Sequence, residues 1–171
     1  MVPSPKDFGQ IACDLCEKAL HDAKEILHPL LRDAELNHLD ERPEFIKAFK
    51  RSLEGRIARK LAAWDPSIQA VFQFDETPMQ TPEAWDGSIH LLAKVPRLSE
   101  TLKILGRRLD RSLVKYLKQL NWQRFQTRQS ILDLQQVTLS ELRHGIGYGA
   151  MFYAVHTVPV KIWPQDKKRR S

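Results

Sequence analysis

Four groups of residues in this chain have types and spacings that chemistry uses. The first is a cysteine pair, Cys13-Asp14-Leu15-Cys16. A C-x-x-C can be a redox dithiol or half of a zinc site. Zinc wants four ligands, the chain has only these two cysteines, and His21 and His28 would have to complete the set. On one helix, His28 stands about 18 Å up the axis from Cys16 at 1.5 Å per residue, out of reach of a shared metal. A thioredoxin-like pair follows a strand and opens a helix. This pair falls well inside a helix, where the dipole has little hold on a thiol. The cysteines read as structural, and no metal or cofactor is expected.

The second group is Gly145-Ile146-Gly147-Tyr148-Gly149-Ala150. Its form matches a dinucleotide fingerprint, but that motif follows a strand and opens a helix, with an acid about twenty residues on. Here a capped helix precedes the glycines, β-formers follow, and the nearest downstream acid is Asp166. No Lys-Ser/Thr follows to make a phosphate loop. The run reads as a helix stop and tight turn. An anion nest built from Arg143, His144, Gly145, Gly147 and Gly149 is the alternative.

The third group is polar: Arg128, Asp133, Glu141, Arg143 and His144 beside the glycines. A carboxylate, a histidine and an arginine suffice for acid–base work on an anionic substrate. They are also what any polar turn contains, and no nucleophile-elbow signature supports a catalytic assignment. Of the six histidines, His90 and His156 fall in expected strands and His144 at a helix end.

The fourth group is the densest. Lys103, Arg107, Arg108, Arg111, Lys115, Lys118, Arg124 and Arg128 lie within one stretch, with Tyr116, Trp122 and Phe125 interleaved. Clustered cations beside aromatics are what nucleic acid asks for: charge for phosphates, rings for bases. A basic helix can equally dock on an acidic protein, or simply be solvated. Charge is also split along the chain. Residues 1–90 carry 11 Lys/Arg against 16 Asp/Glu, a net of −5, and residues 91–171 carry 16 against 5, a net of +11. The second half thus suits a polyanionic or acidic partner, unless the two halves face each other.

The elements that hold these residues can be read from periodicity. Ser4-Pro5-Lys6-Asp7 is a capping-box signal for a helix carrying Phe8, Ile11, Leu15, Ala19, Ala23 and Ile26/Leu27 inward. Pro29 breaks it after His28, and Leu30-Leu31 can add a turn. A second helix runs from about Pro43 to Trp64, with Phe45/Ile46, Phe49, Leu53, Ile57 and Leu61 on one stripe. Strands are expected at Ala70–Phe74, Ser88–Val95, Ser130–Val137 and Met151–Trp163, and Thr81-Pro82-Glu83 reads as a helix start. The basic helix, Arg97–Leu120, has leucines at steps of three and four on its other face. Thr138-Leu139-Ser140-Glu141 caps a short helix that Gly145 stops.

The expected fold is α+β: an N-terminal helical hairpin (residues 1–66), then a core (67–164) with a small, mostly antiparallel sheet of about four strands covered by the basic helix. Residues 165–171 are expected to form a disordered basic tail. No apolar run is long enough to span a bilayer, no signal-peptide layout opens the chain, and two cysteines make no disulfide framework; a cytoplasmic protein is expected. The leading functional expectation is a non-enzymatic binding protein whose basic helix contacts an anionic partner, nucleic acid ahead of an acidic protein surface. An assembly protein that dimerises through its N-terminal helices is the alternative, and an enzyme at the glycine-rich turn the third.

Overall fold

The Ser4–Asp7 signal starts a helix through one half of the expected box. In the computed structural model, which describes residues 2–27, 38–74, 85–155 and 158–165, the Asp7 carboxylate accepts from the Ser4 amide at 2.9 Å. The Asp7 amide donates to the Ser4 carbonyl instead of its hydroxyl. Helix α1 then runs Phe8–Leu27. The break at His28-Pro29, the turn at Leu30-Leu31, the helix start at Thr81-Pro82-Glu83, His156 and the basic tail from Asp166 on lie outside the described residues.

Helix α2 spans Pro43–Trp64, with proline at its first turn where a missing N–H costs nothing. It runs antiparallel to α1. The Phe8 ring at the start of α1 meets Trp64 at the end of α2, 5.5 Å between centroids, and Asp22 accepts from Ser52 and Arg56. The stripe Phe45, Ile46, Phe49, Leu53, Ile57 and Leu61 is fully buried. At about 1.5–3 kcal/mol per large side chain removed from water, this stripe is a principal stabiliser of the fold.

The sheet has four strands: β1 (Ala70–Gln73), β2 (Ile89–Val95), β3 (Leu132–Thr138) and β4 (Val160–Trp163), in the order β3-β2-β1-β4. β1 pairs antiparallel with both β2 and β4, but β2 and β3 are parallel. The sheet is therefore mixed. The reason is the helix between them: α3 (Glu100–Lys118) carries the chain back the length of the sheet, so the next strand restarts in the same direction. The expected long fourth strand is also shorter than its composition suggested. Gly147–Tyr153 is a 3₁₀ segment, and β4 starts only at Val160. Phe152 lies edge-on against Phe72 of β1, 4.8 Å between centroids, so these aromatics cover the sheet and do not extend it.

Alternation along β2 divides the molecule into layers. Ile89, Leu91, Ala93 and Val95 join one continuous hydrophobic cluster with α1, α2 and α3. Leu92 faces the other way, into a small cluster with Phe74 and Val137 that Leu142, Met151 and Phe152 close. Leu142 belongs to the short helix α5 (Leu139–His144), whose Thr138–Glu141 capping box forms as the sequence predicts. No helix among the described residues is long and apolar enough to cross a membrane.

Candidate functional site

Helix α3 is held by its N-cap and by its buried leucine face. Ser99 caps it, accepting from the Leu102 amide at 3.1 Å, and the Gln136 side chain clamps Ser99 N–H and C=O at 2.8 Å each. Leu102, Leu105, Leu109, Leu113 and Leu117 are buried, and Gly106 lets the helix approach Leu134 of β3 closely. The opposite face is then fixed. Lys103, Arg107, Arg108, Arg111 and Lys115 are all exposed along a ridge about 18 Å long.

Two features make that ridge more positive than the sequence shows. Asp110, the acid within the basic run, turns inward and accepts from the amides of Ile131 and Leu132 at 2.7 and 2.8 Å. Arg107, Arg108, Arg111 and Lys115 make no ion pair with any described acid, and Lys103 has only Glu100 at 3.7 Å. The acidic surface of the first half does not neutralise the ridge among the described residues. Like charges at i,i+4, such as Lys103/Arg107, Arg107/Arg111 and Arg111/Lys115, each cost an isolated helix about 0.2–0.5 kcal/mol. Folding alone gives no return for this arrangement.

The other three cations of the stretch are placed elsewhere. Arg124 is half-buried, donates to the carbonyls of Trp85 and Asp40 at 2.9 and 2.8 Å, and lies over the Trp85 ring. Arg128 pairs with the Asp86 carboxylate and donates to its carbonyl. Lys118 is half-buried at the end of α3. The interleaved aromatics are not a stacking platform. Phe125 is fully buried, and Trp122 stacks on it and meets Phe45 and Phe49 edge-on. The short helix α4 (Gln123–Gln126) turns them into the core, because a hydrophobic ring with a core position in reach gains more there than in water. Tyr116 is half-buried against Glu17; burial, then the Glu17 charge, push its phenol up to about 12.

The glycine-rich turn is occupied by its own folding. Gly145 and Gly147 take positive φ, and the amides of Gly145 and Ile146 both return to the Glu141 carbonyl. Gly149 is buried directly against that carbonyl, with no room for a Cβ. Arg143 and His144 are exposed, and His144 contacts the Ser140 carbonyl through Nδ1 at 2.8 Å. The polar residues grouped by sequence do not converge: Arg128 holds Asp86, Asp133 faces His90, and Glu141 holds Thr138.

A constellation that sequence reasoning missed lies on the sheet face opposite α1–α3. Parallel register sets His90 of β2 beside Asp133 of β3. His90 Nδ1 is 3.3 Å from Asp133 Oδ2, and Nε2 is 3.1 Å from Ser88 Oγ. This has the outline of a serine–histidine–aspartate relay. Proton placement argues otherwise. Ser88 Oγ is only 2.5 Å from Asp86 Oδ1, and a hydroxyl has one proton, so the shorter bond to a carboxylate claims it. Nε2 must then donate to Ser88, not accept from it. Asp65 and Ser67 repeat the same turn at 2.6 Å with no histidine bonded to them among the described residues, which marks Asp86–Ser88 as local turn chemistry. The His90 hydrogen bond outweighs burial and holds the Asp133 carboxyl below the usual carboxylate range. Burial raises Asp86, but Ser88 and Arg128 outweigh it and hold it low as well. The array is a hydrogen-bonded bridge joining β2 to β3. Its members are 43 residues apart, and only strand register, which sequence leaves open, brings them together.

Neither cysteine is activated by its surroundings. Cys16 is fully buried on α1, which pushes its thiol strongly up, and Cys13 is raised by burial and then by Glu17. Among the described residues no group of three His, Cys, Asp or Glu side chains is placed to hold a metal. A cavity of about 570 Å³ runs between α3 and the outer edge of β3, with Lys103 and Arg107 on the helix side and Leu134, Gln136 and Tyr148 on the strand side. No protein-family model, no characterised protein and no solved structure matches this chain.

Proposed function

We propose that this is a binding protein, and that the exposed ridge of α3 is the surface by which it contacts an anionic macromolecule. One observation carries the reading. Five cations share the ridge, and the acid that interrupts them in sequence is turned inward to bond Ile131 and Leu132. Charge left unneutralised by the protein's own described acids is available to a partner. Nucleic acid, placed first on sequence, keeps its phosphate contacts in this reading but loses base stacking, because Trp122 and Phe125 are taken into the core.

The test is fluorescence anisotropy with labelled short DNA, labelled short RNA and a labelled acidic peptide, against the native chain and Arg107→Glu/Arg111→Glu. Five phosphate contacts predict an affinity loss of about two to three orders of magnitude between about 50 and 200 mM salt. An acidic peptide, with fewer condensed counterions to release, should show a shallower slope in the same direction. Affinity that ignores salt and survives the double reversal for every probe would refute the ridge as the contact surface.

A further inference from the structure

The groove beside the ridge has a second property, set by backbone direction. β3 is an edge strand: β2 lies on one side and no described strand on the other. The Ile89 amide donates to the Ile131 carbonyl. With Ile89 opposite Leu132 in a parallel ladder, the amides and carbonyls of Asp133, Gln135 and Val137 therefore point to β2. Those of Leu132, Leu134, Gln136 and Thr138 point outward, along the groove.

The two ends of this outward row are closed from within the chain. Asp110 accepts from Leu132 N–H, and Glu141 accepts from Thr138 N–H at 2.8 Å. The centre is open. No described residue hydrogen-bonds the backbone N–H or C=O of Leu134 or Gln136. Two residues spaced i, i+2, each presenting a donor and an acceptor into a groove, are the template that an added strand uses.

We propose that the partner of the α3 ridge is an acidic peptide segment that binds in extended form, adding a strand to the open centre of β3 at Leu134 and Gln136. The proposal rests on the ridge reading and names its partner. Charge selects this occupant. Arg107 lines the groove without a described ion-pair partner, and Lys103 stands beside it. The groove's four acids are all engaged: Glu100 with Lys103 at 3.7 Å, Asp110 and Glu141 with backbone amides, and Asp133 with His90 and Gln135, which leaves Arg107 as the groove's cation without a described acid. A second copy of the chain fits poorly. Edge-to-edge pairing of two β3 strands would set two α3 helices side by side and bring their unneutralised arginines together. Nucleic acid can satisfy the ridge but cannot continue a β-ladder.

The test uses the full chain and a labelled heptapeptide of alternating glutamate and valine, with two derivatives N-methylated on the odd or on the even residues. An added strand turns alternate amides toward β3 and the others to solvent. One derivative should therefore lose binding by about tenfold or more while the other binds like the parent. Hydrogen exchange of the Leu134 and Gln136 amides should slow in the complex, and Arg107→Glu/Arg111→Glu should weaken every peptide that binds. If all three peptides bind alike, or exchange at Leu134 and Gln136 is unchanged, strand addition is wrong while the ridge reading stands. The same holds if DNA or RNA binds and the peptide does not. Loss of all binding to all probes overturns both. A salt-insensitive dimer in sedimentation, with slowed exchange at Leu134 and Gln136 before any peptide is added, assigns the edge to a second copy and overturns the proposal.

Discussion

Replacing Asp110 separates its structural task from its charge. Its Oδ1 alone accepts from two successive amides at the start of β3. A hydrogen bond to a charged acceptor contributes about 1.5–3 kcal/mol, but two bonds sharing one oxygen are not independent, and water can reach a half-buried site. For Asp110→Ala the combined loss is taken as about 2–3 kcal/mol, from which the better helix propensity of alanine removes about 0.6. The net expectation is a cost of about 1.5–2.5 kcal/mol. Asp110→Asn keeps an acceptor oxygen and loses only the charge assistance, roughly half the bond strength, so its cost should be about 1 kcal/mol. Urea unfolding with a common slope measures both. In a thermal scan each kcal/mol should appear as about 2–4 °C for a chain of this size. If Asp110 instead pointed outward among the cations, both variants would be near neutral in stability, and both would steepen the salt dependence of anion binding. Asp110→Ala within about 0.5 kcal/mol of the native chain, or Asn no better than Ala, would refute the assigned contact.

Three further outcomes follow from the same geometry. Gly55, mid-helix in α2 with nothing within 4 Å of an added Cβ, should gain about 0.8–1.0 kcal/mol as Gly55→Ala, whereas Gly149→Ala, whose Cβ would strike the Glu141 backbone, should cost about 1–3 kcal/mol or more; urea midpoints read both. Asp133 and Asp86 have carboxyl pKa values lowered by folding, so they contribute stability above the unfolded value of 3.8 that is lost as pH falls through the folded value. Unfolding free energy should therefore drop below about pH 4, and less steeply in Asp133→Asn, as followed by urea titration across that range. A thiol reagent at mildly alkaline pH should modify Cys16 only on unfolding and Cys13 slowly, because burial raises both thiols; rapid labelling of Cys16 in the folded chain would contradict the packing of α1.

Much of the local structure was legible in the chain. Helix α2 begins and ends at the residues its proline, apolar stripe and Asp65-Pro66 indicated, and the Thr138–Glu141 box and the Gly145 stop form as read. These are short-range signals, set by steric limits and hydrogen bonds between residues a few positions apart. The fourth strand was misjudged because aromatic and β-branched composition says only that a segment will pack against a sheet, not that it will join one. Met151 and Phe152 pack on the sheet's second face, and β4 keeps only four residues.

Sequence by itself determined the basic run, the leucine stripe beneath it, the helices that carry both and the split of charge along the chain, because these need only composition and a period of 3.6. Tertiary structure decided everything that depends on which strands lie side by side. The β2–α3–β3 crossover made β3 a parallel edge strand, aimed Leu134 and Gln136 outward, and set His90 against Asp133. It also drew Asp110 off the ridge and Trp122 and Phe125 into the core, changing both the charge and the stacking surface a partner would meet. The physical reason is one of range. Periodicity fixes which face of an element is apolar, whereas strand order and register follow from how all the faces close over one core at once.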